Sequence, residues 1–371
     1  MTAKSFFIAG GTLDGLPRAL AEIKDHVRSP SGGIVFTSGP LSLSPNEVAQ
    51  AVAAAWKGVP ACVVPAAGVL TEKNEVEGAG AISGMLWSGG KVAPFAAGCT
   101  PGEREAEILK RAPAVALFSR PEAFQTSLIE TLGLSPNATI FGAGTVGRTP
   151  VGITAGGELL SGEMGGLAIA GLSSPIVDVS TACRLLTPFL PIDEVAQGLV
   201  LRLGGRAALD VLSGLSGQVG GESGAPLVFA ALSDETDAAG RERYVVRPIR
   251  GIDPTRRGVM VGQEARLGTR LAFAVRDAAA GKELLEASAR NVVEQTTGAS
   301  ARFLLYFTCA GRGQGLYGSQ GVESRILRKR FGDLPIAGMH SSFELIGRPL
   351  AANAPRVAMY SAVLAMFRSP S

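Results

Sequence analysis

The sequence predicts an α/β protein of mixed α+β character, built as two domains from repeated strand–helix–strand units with mixed sheets. Three observations predict it. An apolar strand, a helix and a second strand closing on small residues recur near residues 33–68, 114–142 and 303–338, and such units pair their strands in parallel. A β-rich region with glycine-rich turns and few helical periods separates the second unit from the third, which is the pattern of antiparallel strands. The chain has 371 residues, 46% of them hydrophobic and 18% charged, enough for two packed domains of ordinary size.

The N-terminal MTAKSFFIAGG reads as a first strand, its apolar run being too short for a signal peptide. The amphipathic helix behind it carries His26 among Glu22, Lys24, Asp25 and Arg28, a solvated setting and not a ligand site. The first unit runs from the strand Gly33 to Thr37 into a helix starting near Ser44-Pro45-Asn46-Glu47. Serine, proline next and glutamate three residues on read as a capping box with proline at the first helical position. After Gly58-Val59-Pro60, the strand Ala61 to Val64 closes on Ala67-Gly68. The second unit is the strand Ala114 to Phe118, the helix Glu122 to Leu132 and the strand Ala138 to Phe141, closing on Gly142.

Strands are then expected at Gly165–Ala170, Pro175–Val179, Leu199–Leu203, Leu227–Leu232, Tyr244–Ile249 and Leu271–Val275, interrupted by helices at Arg206–Leu212 and Ala278–Glu294. Asp277 is placed to cap the second of these helices. The polar stretch Ser213 to Ala225 reads as the linker between the halves, which gives domains at residues 1–217 and 218–371. The third unit is the strand Phe303 to Phe307, the turn Cys309-Ala310-Gly311-Arg312-Gly313, and a helix of about a dozen residues. That helix turns Val322, Ile326 and Leu327 to one side and Arg325, Lys329 and Arg330 to water. The strand Pro335 to Ala337 then delivers Gly338, His340 and Glu344, and a last strand completes the second domain.

Composition excludes several classes. With 35 basic and 32 acidic side chains the formal charge is +3, which leaves no footprint for nucleic acid or an anionic membrane. The 49 glycines follow no three-residue period, so they serve turns and close backbone approach and not a collagen helix. No apolar stretch is long enough to cross a bilayer. Cys62, Cys99, Cys183 and Cys309 stand far apart without a CxxC pair. Neither a disulfide framework nor a metal centre is expected, and the compartment expected is the reducing cytoplasm.

Gly142-Ala143-Gly144-Thr145-Val146-Gly147 matches GxGxxG behind a strand, but Pro150 and Gly152 stand where a phosphate-binding helix would have to propagate. The glycines are therefore read as a structural turn. Cys309, Arg312, His340 and Glu344 all follow strand ends of one unit, at the edge where open α/β sheets bind ligands. Cys309 beside Arg312 could be a nucleophile, although a buried cysteine at a strand end is ordinarily a packing residue. A single histidine cannot build a zinc site; His340 is either a hydrogen-bonded turn residue or one axial ligand of haem.

The C-terminal unit resembles the FIST C domain (F-box and intracellular signal transduction) in Cys309, Arg312-Gly313, Glu323, Pro335, Gly338 and Glu344. Ser180-Thr181-Ala182-Cys183-Arg184, Gly204-Gly205-Arg206-Ala207-Ala208-Leu209 and Arg276-Asp277 resemble further steps of that family, and residues 33–217 resemble its N-terminal domain. Two places depart from the pattern: Val63-Val64-Pro65-Ala66 replaces a polar approach, and Phe343 stands where a glycine usually precedes the glutamate. The resemblance implies a small-molecule sensory role beside signalling proteins; joined to the cytoplasmic reading and to the lack of an output segment in the sequence, the expectation is a sensor that contacts a separate signalling partner. Its ligand, anionic or amino-acid-like, would lie between the domains against Cys309, Arg312, His340 and Glu344, with Arg276 and Arg184 brought near by the family pattern alone. No cofactor is expected. The alternatives are a haem-based gas sensor using His340, a cysteine-dependent enzyme using Cys309, and a scaffold whose pocket is vestigial.

Overall fold

The computed structural model describes residues 2–215, 227–236, 242–296, 300–347 and 355–369. The expected boundary at residues 217–218 lies outside them. The chain forms two compact units, one of Met1–Ser180, Leu284–Val357 and Ser361–Ser371, the other of Thr181–Glu283 with Ala358–Tyr360. The second unit is thus an insertion in the chain of the first.

Among the described residues the first unit holds three six-stranded sheets, each centred on one parallel pair flanked by antiparallel neighbours. These pairs are the three units expected from sequence: Pro30–Ser38 with Ala61–Pro65, Ala114–Ser119 with Thr139–Gly144, and Ala301–Cys309 with Ile336–Ser341. Their registers correspond. Phe36 faces Val64, Phe118 faces Ala143 and Phe307 faces Met339, and one step on, Thr37, Ser119 and Thr308 face Pro65, Gly144 and His340. The three phenylalanines meet in the shared core, with ring centroids 6.2, 6.0 and 5.6 Å apart. The apolar side chains alternate along each strand, so the three sheets bury one face of every repeat in a common centre.

Each repeat also sends its next strand into a neighbour's sheet. Gly68–Thr71, from the first repeat, pairs with Ile336–Ser341 of the third; Val151–Ile153, from the second, pairs with Ala61–Pro65 of the first; Glu344–Gly347, from the third, pairs with Thr139–Gly144 of the second. At each crossing a backbone N–H donates to the last or next-to-last residue of the neighbour's second strand. Ala67 donates to His340 at 2.9 Å, Ser342 to Gly144 at 3.2 Å and Val146 to Pro65 at 3.2 Å. These three bonds close a ring of threefold character.

Local differences from the sequence reading have physical causes. His340 lies within a strand that runs to Ser341, and not in a turn beyond it. Ser44 does stand at the start of the Pro45–Ala55 helix with proline at the first position, but its side chain makes no cap bond. The helix expected at Glu122–Leu132 shrinks to a 3-10 turn, Pro121–Ala123, and a short helix, Thr126–Glu130. Between them Phe124 is extended and packs on Phe343 at 5.7 Å, a tertiary contact that overrides helix propensity. No helix starts behind Gly142-Ala143-Gly144; the next element is the strand Val151–Ile153. Gly142 is required by space: a Cβ there would lie 1.9 Å from the Leu117 carbonyl oxygen.

The second unit is a nine-stranded sheet whose described pairs are antiparallel, with the helix Ala208–Ser213 on it. Its core gathers Ile192, Val200, Leu203, Leu271 and Phe273. Among the described residues no helix is long and apolar enough to cross a membrane.

Candidate functional site

The parallel strands Ala301–Cys309 and Ile336–Ser341 end side by side, with Thr308 facing His340 and Cys309 facing Ser341. The chain turns sharply after Cys309, whose carbonyl accepts the Arg312 N–H at 2.7 Å. This folds the Arg312 side chain back under the strand ends, where it is fully buried. Glu323 comes from the first turn of the Val322–Phe331 helix and is equally buried.

Arg312 Nε donates to Glu323 Oε1 at 2.7 Å, and Tyr317 donates to the same oxygen at 2.9 Å. Tyr306 and Thr308 donate to Oε2 at 2.9 and 2.7 Å. Arg312 Nη1 donates to the Ser180 carbonyl at 3.1 Å and Nη2 to the Tyr317 hydroxyl at 3.3 Å. Burial alone would raise the Glu323 carboxyl, but Arg312 and the Thr308 hydroxyl outweigh it and hold it below its ordinary value. Burial likewise opposes the charge on Arg312, and Glu323 overrides it so that the guanidinium stays protonated. The expectation that Arg312 holds a ligand carboxylate is corrected by this pair: its fork is spent on an internal carboxylate and a carbonyl.

Next to it stands a second cluster. The strand Glu75–Glu77 points Glu75 and Glu77 the same way, beside His340, whose ring is 1% exposed. His340 Nε2 is 3.5 Å from Glu75 Oε1, and neither ring nitrogen has a hydrogen-bond partner among the described residues. Glu75 Oε2 accepts the Ser324 N–H at 3.0 Å, and Glu77 accepts the Gln314 N–H at 2.9 and 3.1 Å through its two oxygens. Both carboxylates therefore sit on helix-opening backbone donors. Gly313 permits this, because a Cβ there would fall 2.0 Å from Glu77 Oε2. Burial would lower the His340 pKa, but Glu75, with Glu323 and Glu77, raises it above its ordinary value.

Glu344 begins its strand buried, accepting from Ser341 at 2.8 Å and Ser361 at 2.5 Å. Burial pushes its pKa up to about 8, against the hydroxyls of Ser361 and Ser341 and the charge of Arg312. Cys309 is buried at the strand end. Cys309, Arg312, His340 and Glu344 thus lie at one corner of the first unit. Arg184 and Arg276 belong to the second unit, where Arg184 pairs with Asp277 at 3.3 Å and Arg276 lies 5.5 Å from the centre of the Tyr360 ring. Asp277 caps its helix through the Ala280 N–H at 2.9 Å, as its position suggested.

A haem does not fit His340. The carboxylate of Glu75 stands off Nε2, and the Gly68 backbone is so close that a Cβ there would reach 2.9 Å from His340 Cδ2. A porphyrin needs that space. The sequence reading missed Glu75, Glu77, Tyr306 and Tyr317. Two glutamates two residues apart in a short extended segment were the available signal, but nothing local tied them to a unit more than two hundred residues away.

Pro65 and Gly144 occupy the positions equivalent to His340 in the other two repeats. Neither offers a side-chain donor, so this imidazole is found at one junction of the three. Phe343, the departure noted beside Glu344, is buried in the core with Leu345 and Ile140.

Comparison with known proteins bears on the same region. Residues 208–346 match the FIST C domain, which belongs to a family of sensory and signal-transduction domains. An uncharacterized protein of Mycobacterium tuberculosis (strain H37Rv) is 27% identical over 362 residues, covering 90% of this chain and 92% of that protein. An uncharacterized protein of Mycobacterium bovis is 27% identical over 246 residues, 62% of this chain; the chain spans 61% of that relative's length.

Proposed function

We propose, from the premise that residues 208–346 are a FIST C domain, that the protein is a sensory protein that binds a small amino-acid-like molecule at the corner formed by His340, Glu75 and Glu77. The observation that supports this is the buried imidazole without a hydrogen-bond partner, beside two fixed carboxylates, at one of three equivalent junctions. A purely structural corner would be expected to satisfy its buried polar atoms, as the Arg312–Glu323 pair does. The two carboxylates favour the amino end of such a molecule, which shifts the reading away from a simple anion. Signalling would then pass to a separate protein partner.

The test is a panel of free amino acids against the purified protein by thermal shift, with mass spectrometry of whatever copurifies. A stabilising ligand whose effect is lost in His340→Ala and kept in Arg328→Ala supports the reading; Arg328 is exposed on the Val322–Phe331 helix. Equal responses from the two variants would turn the reading towards a scaffold.

A further inference from the structure

We infer that Glu75, Glu77 and His340 form a binding site for one divalent transition-metal cation. One donor atom from each of the three lies within 4.8 Å of the others. The separation of His340 Nε2 and Glu75 Oε1 is 3.5 Å, an ion-pair distance when the imidazole is protonated, with no hydrogen bond formed between them. It matches the edge of about 3.4 Å between neighbouring donors of a tetrahedral site with bonds of about 2.0–2.1 Å.

The carboxylates are already aimed. Glu75 uses Oε2 for the Ser324 N–H, which leaves Oε1 towards the imidazole, and each Glu77 oxygen keeps a lone pair beyond the Gln314 N–H. Backbone donors of this kind orient ligating carboxylates from behind. Charge points the same way. Arg312 is matched by Glu323, so once His340 gives up its proton to bind as neutral imidazole, Glu75 and Glu77 are two negative groups that a doubly positive ion would balance. Imidazole with two carboxylates is a nitrogen–oxygen donor set that suits zinc, manganese or ferrous iron.

Three protein ligands leave at least one position open. An α-amino carboxylate could chelate there, and the cation would turn an acidic corner into one that accepts a carboxylate. That last step rests on the sensory reading above; the cation site itself does not.

Full-length protein stripped with a chelator would be titrated with zinc by calorimetry and with cobalt(II) by absorption. The expected result is one equivalent bound, with affinity reduced by more than about tenfold in His340→Ala and in Glu77→Gln and unchanged in Arg328→Ala. Cobalt should give d–d bands without a thiolate charge-transfer band. Should either variant fail to fold by circular dichroism, the wild-type cobalt spectrum still decides. No saturable binding, a thiolate band implicating Cys309, or wild-type affinity in both folded variants would overturn the site. Amino-acid binding that is equal with and without zinc would leave the sensory reading standing and remove the cation from it.

Discussion

Glu323 takes four hydrogen bonds on two oxygens, one of them from the guanidinium that is its counter-ion, and both charged side chains are fully buried. Removing one partner leaves the other charged and buried, which costs about 3–5 kcal/mol. Arg312→Met and Glu323→Met should each lower the urea midpoint by that measure, and the double substitution should cost less than the sum of the two. Strict additivity would mean that the pair is not coupled. Glu344 makes a different prediction. Burial keeps its proton on up to about pH 8, whereas an exposed glutamate loses it near 4.5. Between those values the folded state holds the proton that the unfolded state has released. Stability should therefore fall as pH rises through that window, by up to about 1.4 kcal/mol per pH unit, and level off above it. Glu344→Gln should remove this component of the slope; an unchanged slope in denaturation at pH 5 and pH 8 would dismiss it.

At the scale of the element, the three strand–helix–strand units were legible because each carries its own signals: an apolar strand, a stop, and small residues at the close. The antiparallel strands of the second unit and the Asp277 cap were legible for the same reason. What could not be read was anything set by partners distant in sequence. The shortening of the Glu122–Leu132 helix depends on Phe124 meeting Phe343, and the setting of His340 depends on Glu75, more than two hundred residues before it. The glycine at 338 was read as a family mark, while its physical reason lies in the parallel pair: a Cβ there would sit 2.2 Å from the Tyr306 carbonyl oxygen. Gly338→Ala should therefore push the two central strands apart and cost about 1–3 kcal/mol, seen as a drop in thermal midpoint. A variant as stable as the parent would mean that the sheet yields at this point.

At the scale of the whole molecule, the two ends of the inserted segment lie close together within the second unit, since the Asp277 N–H bonds the Ala182 carbonyl at 3.1 Å. Insertions with close ends are the ones that hosts tolerate losing. Replacing residues 183–276 by a short glycine–serine linker should leave a cooperatively unfolding protein; a non-cooperative melt would make the second unit necessary to the first. The exchange of strands around the threefold ring has a consequence in time. The Thr139–Gly144 strand must wait for Glu344–Gly347, and at cellular speed the ribosome needs on the order of 10–40 s to travel from one to the other. The nascent chain meanwhile presents an unpaired hydrophobic edge. Completion of the ring, and with it the corner that holds His340 beside Glu75, thus waits until the third repeat has been made, and a ribosome that stalls before it would leave a chain fit mainly for chaperones or proteolysis.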